Sequence, residues 1–311
     1  MTRARQVVLL LTVMNVVWGS TFFLTKRSLE ALAVAAGPPA TPEDAWAALL
    51  GLRFALAAAV AALVFRKALG DLRSPALWRD AVLLGIPSAL GFALQTAGLA
   101  LVSPGTSAFL TSLYVPFTPL AAWLLFRHRL PRALFPALAL ALAGLWILSP
   151  PSAPGFGWGG ILSAACGAVF AVQIVVTDRL SSRQEAGAVT TAMFVLMAAG
   201  FLAAAWALPS GRAFLSPEAL GRLAGNPSGW LPIAFNGTVA SVFPFWAMNR
   251  FQKHLDPNHA AVVYATEPLF AAGFSALWFG ERFGPAALAG GLLVVGANLW
   301  AGKAVAVSAP R

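Results

Sequence analysis

The residue with the clearest chemical potential is Glu267, which stands beside Pro268 inside an otherwise apolar stretch, 260–279. At 1.5 Å per residue, the carboxylate lies roughly 10 Å along a helix that covers this stretch. An ionised carboxylate in such surroundings is costly unless it is paired, hydrated or protonated. Pro268 removes a backbone donor and frees a carbonyl one turn back, near Tyr264. The pair predicts a substrate or proton site at a weakened point of the helix, and the alternative is a protonated glutamate that only packs.

Other side chains within apolar stretches also have polar groups, and each has a structural alternative. Uncharged polar residues there are more often contacts between helices, worth about 0.6 kcal/mol each, than ligand contacts. For Arg53 we favour a side chain that extends to the membrane surface over a structural charge or a substrate contact. Trp18 and Trp246 lie away from the ends of their stretches, where they could stack on an aromatic substrate. The remaining candidates are Asn15, Gln95, Tyr114 and Tyr264.

Motifs of other chemistries are absent from the sequence. There is no phosphate-binding G-x-x-x-x-G-K-S/T loop, no G-x-S-x-G and no H-E-x-x-H. ATP-driven pumping within this chain is therefore excluded. His254 and His259 lack the spacing of metal ligands on one helix face, and Cys166 is the single cysteine. We expect neither a metal nor a cofactor.

The composition is that of a membrane protein. Of the 311 residues, 59% are hydrophobic and 10% are charged, whereas a soluble domain has about 25% charged residues. A membrane-crossing helix needs about 20 apolar residues, and ten stretches approach or reach that length. The sequence predicts an all-α integral membrane fold with ten transmembrane helices. The stretches are 7–24, 46–65, 81–101, 106–126, 134–149, 158–177, 189–208, 230–251, 260–279 and 285–302.

The positive charges predict the orientation. With ten helices, fifteen of the 21 lysines and arginines fall on the side of the N-terminus, five fall on the other side, and Arg53 lies within a stretch. Cytoplasmic connections carry the excess of positive charge, so both termini are expected in the cytoplasm of a bacterial inner membrane. The net charge of +10 is spread over short connections without a basic face, which excludes a nucleic-acid binder. We interpret the first apolar stretch as a retained helix and not as a cleaved signal.

A weak internal repeat divides the chain into halves of 1–150 and 155–305. A shift of 153 residues aligns the fourth stretch with the ninth, with six identities in 28 positions. Because each half contains five helices, an odd number, the second half enters the membrane inverted, as in many secondary transporters. The identities pair Pro104, Ala108, Phe117, Leu124, Phe126 and Arg129 with Pro257, Ala261, Phe270, Leu277, Phe279 and Arg282.

Five short motifs in the expected order carry a family resemblance over about 7–302. They are Trp18-Gly19-Ser20-Thr21-Phe22, Arg53-Phe54-Ala55, Gln95-Thr96-Ala97-Gly98-Leu99, Thr111-Ser112-Leu113-Tyr114-Val115-Pro116, and Glu267-Pro268-Leu269-Phe270-Ala271-Ala272 with Gly280-Glu281-Arg282. With these motifs the chain resembles the EamA-type permeases of the drug/metabolite transporter superfamily.

The resemblance implies ten helices, no ATPase, and transport of amino acids, aromatic compounds, nucleobases or related metabolites. It also implies a cavity lined by helices one, three, four, six, eight and nine, which raises the interest of Asn15, Trp18, Tyr114 and Tyr264. One departure is Arg127-His128, where many relatives repeat a Gly-Glu after the fourth helix. A role of that first-half glutamate cannot be carried over to this chain.

These observations favour a secondary carrier of small metabolites with alternating access, either facilitative or coupled to protons. The first alternative is a lipid or multidrug exporter with a cavity open to the bilayer. A remote alternative is a membrane enzyme that acts on a lipid-linked substrate through Glu267 and His259. Catalysis needs clustered titratable groups, and here they are scattered along the chain. The expected partners are a small solute, the lipid bilayer and, if transport is coupled, a proton.

The charge bias makes the topology testable. Reporter fusions after Arg132 and after Lys303 should both report a cytoplasmic location, whereas a fusion within 210–225 should report the opposite side of the membrane. A cytoplasmic signal from the last fusion would contradict the ten-helix arrangement with both ends inside.

Overall fold

The computed structural model describes residues 3–127, 134–148, 157–255 and 257–308, and these ranges are helical with short connections. Seven helical segments are long and apolar enough to cross a membrane. They coincide with seven of the ten predicted stretches. The other three, 134–149, 260–279 and 285–302, coincide with helices whose described apolar part is shorter or divided.

The α-helices, numbered along the chain, have the following bounds. The first group is α1 Arg3–Ala36, α2 Trp46–Val64, α3 Pro75–Leu101, α4 Pro104–Thr111, α5 Tyr114–Phe126 and α6 Leu134–Leu148. The second group is α7 Gly157–Leu180, α8 Ala186–Ala207, α9 Pro209–Phe214, α10 Pro217–Ala224, α11 Pro227–Gly237, α12 Val239–Phe251, α13 Pro257–Tyr264, α14 Glu267–Phe279 and α15 Pro285–Ser308. Short 3₁₀ turns cover Pro42–Asp44, Arg66–Arg73 and Gln252–His254.

The first helix is longer than its apolar stretch. The sequence predicts an end near residue 24, but α1 continues to Ala36 past the charged residues Lys26, Arg27 and Glu30. The Lys26 ammonium donates to the carbonyl oxygens of Leu99, Ala100 and Val102 at 3.0, 2.7 and 3.3 Å. Carbonyls at the end of a helix lack partners within it, so Lys26 both satisfies the end of α3 and finds acceptors for its own charge.

Two of the predicted stretches are interrupted at equivalent places. The fourth breaks between α4 and α5 at 112–113, and the ninth breaks between α13 and α14 at 265–266. A shift of 153 residues superposes the bounds of both pairs, α4 on α13 and α5 on α14. It also superposes the left-handed residues that end them, Arg127 at φ 58° and Gly280 at φ 64°. Glu267 is therefore the first residue of a separate helix and not a residue within a continuous one.

Side chains satisfy the backbone at both breaks. The Ser112 hydroxyl donates to the Phe109 carbonyl at 2.7 Å, and the Thr266 hydroxyl donates to the Val263 carbonyl at 2.9 Å. Each following helix carries a proline in its first turn, Pro116 in α5 and Pro268 in α14. A proline there is tolerated because the first N–H groups of a helix have no partner within it.

Glycines let neighbouring helices approach these breaks closely. A Cβ at Gly19 of α1 would lie 2.6 Å from Phe270 Cβ and 3.2 Å from the Glu267 carbonyl oxygen. A Cβ at Gly167 of α7 would lie 2.8 Å from the Thr111 carbonyl oxygen. Glycine is therefore required where α1 meets the second break and where α7 meets the first.

An aromatic cluster fills the centre between α2, α3, α8 and α12. Phe54 packs against Phe92, Phe194, Phe201 and Phe245, with ring centres 5.4–6.3 Å apart. The arrangement mixes stacked and edge-to-face pairs, which are the favourable geometries for aromatic rings. Two of its members, Phe92 and Phe245, line the cavity described below.

The close approach of α1 to α14 predicts the effect of Gly19→Ala. The added methyl group meets rigid atoms of α14, and overpacking of this kind costs about 1–3 kcal/mol. Thermal unfolding of the purified protein should therefore shift to a lower temperature. Gly85→Ala in α3 is the matched control, because no atom lies within 4 Å of its Cβ position. Alanine favours a helix by about 1 kcal/mol over glycine, so the control should be neutral or stabilising. Equal stability of the two variants would contradict the packing described here.

Candidate functional site

A small cavity lies where α1, α3, α5, α7, α12, α13 and α14 meet. Its volume is about 40 Å³, which has room for a few water molecules. Six aromatic residues contribute to its wall, namely Trp18, Phe92, Tyr114, Phe170, Phe245 and Tyr264. The polar lining residues are Thr21, Gln95, Gln173 and Glu267, and Ile174 and Met248 complete the wall.

The Glu267 carboxylate is the one acidic group among the residues that line the cavity. Its side chain is 8% exposed. No ion pair or hydrogen bond joins it to another residue in the described ranges. A carboxylate that is buried without a partner is stable only if a proton, water or a cationic ligand satisfies it. The helix break places this group at the cavity because Glu267 begins α14 directly after the turn.

Tyr114 occupies the equivalent position at the first break, as the first residue of α5. Its hydroxyl is buried and has no hydrogen-bond partner within the described part of the chain. The same holds for the indole N–H of Trp18. Buried polar atoms are normally paired, so these two atoms mark a place where a water or a ligand group is expected.

The other cavity tyrosine is engaged in the protein's own framework. The Tyr264 hydroxyl donates to Gln252 Oε1 at 3.1 Å, and Gln252 Nε2 donates to the Ile174 carbonyl at 2.8 Å. The Tyr264 ring meets the Trp18 ring edge to face, with 6.1 Å between centres. Its hydroxyl thus ties α13 to α7, while its ring forms part of the wall.

Five of the nine candidates from the sequence meet at this cavity: Trp18, Gln95, Tyr114, Tyr264 and Glu267. Pro268 is buried beside Glu267 but is not part of the wall.

Asn15 lies one turn of α1 away and braces the second break. Its Nδ2 donates to the Val263 carbonyl at 2.6 Å and to Thr266 Oγ1 at 3.0 Å.

Trp246 lies outside the cavity wall. Its ring stacks on Phe65 at 6.2 Å and meets Phe251 edge to face at 5.5 Å. The structure therefore places this tryptophan in aromatic packing near the end of α2. A role for Trp246 in stacking on a substrate at the cavity has no geometric support.

The expectation that Arg53 extends to the membrane surface is wrong. The side chain is 2% exposed, and its Nε donates to Ser241 Oγ at 3.0 Å. The guanidinium carbon lies 4.8 Å from the centre of the Phe92 ring and 5.5 Å from that of Phe54. Cation–π contacts of this kind stabilise a desolvated arginine, while Arg53 Nη2 is buried without a hydrogen-bond partner in the described part of the chain.

Sequence reasoning did not single out the phenylalanines of the wall, Phe92, Phe170 and Phe245. In an apolar helix such residues do not differ by type from those that face lipid. Gln173 is one of the uncharged polar residues for which the sequence favours contacts between helices, and its Nε2 lies 3.7 Å from Met248 Sδ. The only feature of the sequence that sets Gln173 apart is its polar amide within an apolar helix, a feature that it shares with Gln95 on the same cavity.

The described residues hold no cluster of metal-ligating side chains. Within the ranges that the structure describes, no three His, Cys, Asp or Glu side chains come together as metal ligands. The side chain of His259, the partner of Glu267 in an enzymatic mechanism, lies outside the described residues.

Comparison with known proteins agrees with a role in transport. An uncharacterized transporter of Archaeoglobus fulgidus is 26% identical over 218 residues, which cover 70% of this chain and 67% of that protein. A protein of known crystal structure has a similar fold, with a TM-score of 0.61 and 20% identity over 95% of this chain and 99% of that one. The model of the EamA-like transporter family matches residues 5–149 and again residues 157–301. The resemblance found in the sequence motifs is thereby confirmed, and this multi-pass membrane protein belongs to the EamA-like transporter family.

Proposed function

We propose that the protein is a secondary transporter that moves small metabolites by alternating access through the cavity at Glu267. The observation that carries the proposal is a carboxylate that no described residue pairs with, placed at a helix break on the wall of a cavity. The family resemblance implies amino acids or aromatic compounds as substrate classes. Transport is either facilitative or coupled to the protonation of Glu267, and the membrane is a bacterial inner membrane with both chain ends on the cytoplasmic side.

The proposal includes two inverted halves of five helices each, near residues 1–150 and 155–305. Two matches of one family model along the chain support this division. The equivalent breaks at 112–113 and 265–266 support it as well, because they place Tyr114 and Glu267 at matching positions. In such transporters the substrate site lies between the repeats, where discontinuous helices end at the middle of the bilayer. The cavity, the two breaks and the aromatic wall fit that plan.

A contact between the two halves supports a cavity that is closed toward the far side, the side of the membrane opposite the chain ends. Glu281, in the turn between α14 and α15, accepts hydrogen bonds from the hydroxyls of Ser103 and Ser275. It also accepts the N–H of Gly105 at 3.2 Å. Ser103 and Gly105 stand at the start of α4, so one carboxylate joins this end of the first half to the second. Release of this contact is a step that alternating access requires.

The small volume of the cavity also fits alternating access. A space of about 40 Å³ is small for a metabolite, and a wall that opens for loading fits this size. The breaks beside Tyr114 and Glu267 are suited to this motion because a divided helix bends without losing a run of backbone hydrogen bonds.

An exporter of lipids or multiple drugs is the second candidate. It is favoured by an apolar groove of about 480 Å³ between α2, α3 and α8, whose wall includes Ile86, Leu90 and Leu196. A groove of this kind accepts an acyl chain or an apolar drug, yet no charged or hydrogen-bonding site of the Glu267 type belongs to its wall.

The variant Glu267→Gln tests the carboxylate. Glutamine keeps the shape of the side chain but removes its charge and its titration. Uptake by proteoliposomes should fall at least tenfold, which corresponds to about 1.4 kcal/mol or more, or it should lose its dependence on pH. Thermal stability should change little or rise, because no charge then needs to be desolvated. The measurement is uptake against pH without nucleotide.

The matched control is Glu218→Gln, an exposed glutamate on α10. It should leave uptake and its pH dependence unchanged. Superposition of the pH curves of the wild type and Glu267→Gln would show that Glu267 only packs.

The variant Glu281→Ala tests the contact between the halves. Loss of several hydrogen bonds to a charged group, each worth about 1.5–3 kcal/mol, should favour the conformation that is open on the far side. A reporter cysteine, Thr21→Cys, in a Cys166→Ala background should then react roughly tenfold faster with a membrane-impermeant maleimide added from that side. Glu43→Ala, an exposed glutamate near the same end of α1, is the control. An unchanged labelling rate in Glu281→Ala would rule out this role.

A further inference from the structure

We propose that the cavity selects protonated organic amines that carry an apolar or aromatic body and no carboxylate. The inference rests on the proposed function, since it names the substrate class of the same site. It narrows the amino acids and aromatic compounds implied by the family resemblance to solutes with a positive charge. The observations that carry it are the charge balance, the free hydrogen-bond acceptors and the aromatic surface of the cavity.

The charge balance of the wall favours a cation. Glu267 contributes one carboxylate, and none of the residues that line the cavity is a lysine, arginine or histidine. Arg53 stands close by but is directed to Ser241 and to the rings of Phe92 and Phe54, and it is not part of the wall. A bound ammonium group would neutralise Glu267, whereas a bound anion would meet an uncompensated like charge.

The free acceptors match the three N–H groups of a primary ammonium. Besides the carboxylate, the Tyr114 hydroxyl and the Gln95 carboxamide line the cavity without hydrogen bonds to other described residues. A hydroxyl and a carboxamide both have oxygen lone pairs to offer. An amine can therefore be satisfied by groups that the protein's own packing leaves unused.

The aromatic wall provides a surface for a cation and for an apolar body. The rings of Tyr264, Trp18 and Phe245 follow one another with centres 6.1 and 6.4 Å apart. Phe92 and Phe170 continue the series at 5.8 and 5.5 Å. Ring faces attract cations, and the effect increases where water is excluded. The same rings bury the hydrocarbon part of the solute.

A carboxylate on the solute would find no cationic side chain and few backbone donors. Helix starts often bind anions through free N–H groups, and α5 and α14 both start at the cavity. Here, however, Pro116 and Pro268 have no N–H in these first turns. Those of Val115 and Leu269 donate to the Ser112 and Thr266 carbonyls at 3.1 and 3.2 Å. The helix starts therefore offer little to a carboxylate beside Glu267.

Four probes that share one ring system test the inference: tryptamine, tryptophol, tryptophan and indole-3-propionate. They present to the site an ammonium, a neutral hydroxyl, a zwitterion and an anion. Binding to the purified protein is measured by titration calorimetry at neutral pH. Tryptamine should bind saturably, and the other three at least about tenfold more weakly, since each lacks the ammonium or adds a carboxylate.

Two variants test whether the Glu267 charge and the Tyr114 hydroxyl bind the ammonium group without disturbing the fold. In Glu267→Gln, tryptamine should lose its advantage over tryptophol, while Glu218→Gln should keep it. Tyr114→Phe retains the ring and removes an oxygen that has no partner in the described ranges, so it should fold normally and weaken tryptamine several-fold. Full tryptamine affinity in both Glu267→Gln and Tyr114→Phe would overturn the inference.

The inference is also overturned if tryptamine does not bind, or if tryptophan or tryptophol binds as tightly. Such results leave the proposed transporter in place when proteoliposome uptake of another solute still depends on Glu267. If tryptamine prefers the wild type as expected but no solute is transported, the cavity is an amine site and the transport proposal fails.

Discussion

Backbone groups at membrane depth must find hydrogen-bond partners within the protein, and this constraint governs the part of the fold that matters most for function. The helix breaks at 112–113 and 265–266 would be unfavourable against lipid. They are accommodated because Ser112, Thr266 and Asn15 bond the local carbonyls, and because the glycines of α1 and α7 bring a neighbouring helix against each break. The same breaks set the first residues of α5 and α14 at the cavity, so the site is a consequence of how the interruptions are satisfied.

Much of the fold could be predicted from the sequence because apolar stretches of sufficient length have few alternatives to a membrane helix. The limits of that reasoning are physical. The length of α1 depends on Lys26 finding carbonyls of α3, a contact between residues 73 and more positions apart. The sequence predicts a weakened point beside Pro268 in the ninth stretch, but the break lies before Glu267, where the Asn15 side chain supports the turn.

The candidate site was predictable to the extent that polarity is conspicuous in an apolar helix. Glu267, Tyr114 and Gln95 meet at one cavity as such a signal suggests. Asn15 and Trp246 carry the same signal and lie outside the cavity wall, since residue type does not reveal which face of a helix turns inward. Phe92, Phe170 and Phe245 carry no signal at all, because lipid and the protein interior accept phenylalanine equally. Only the three-dimensional arrangement separates these cases.

The position of Arg53 has a consequence for how the protein is assembled in the membrane. α2 is otherwise strongly apolar, and its guanidinium is stabilised by the ring of Phe92 in α3 and by Ser241 in α12. Those partners are synthesised 39 and 188 residues after it. Until both are present the guanidinium lacks these partners, and a charge at membrane depth is costly without them. The central aromatic cluster is complete at the same point, because Phe245 of α12 belongs to it.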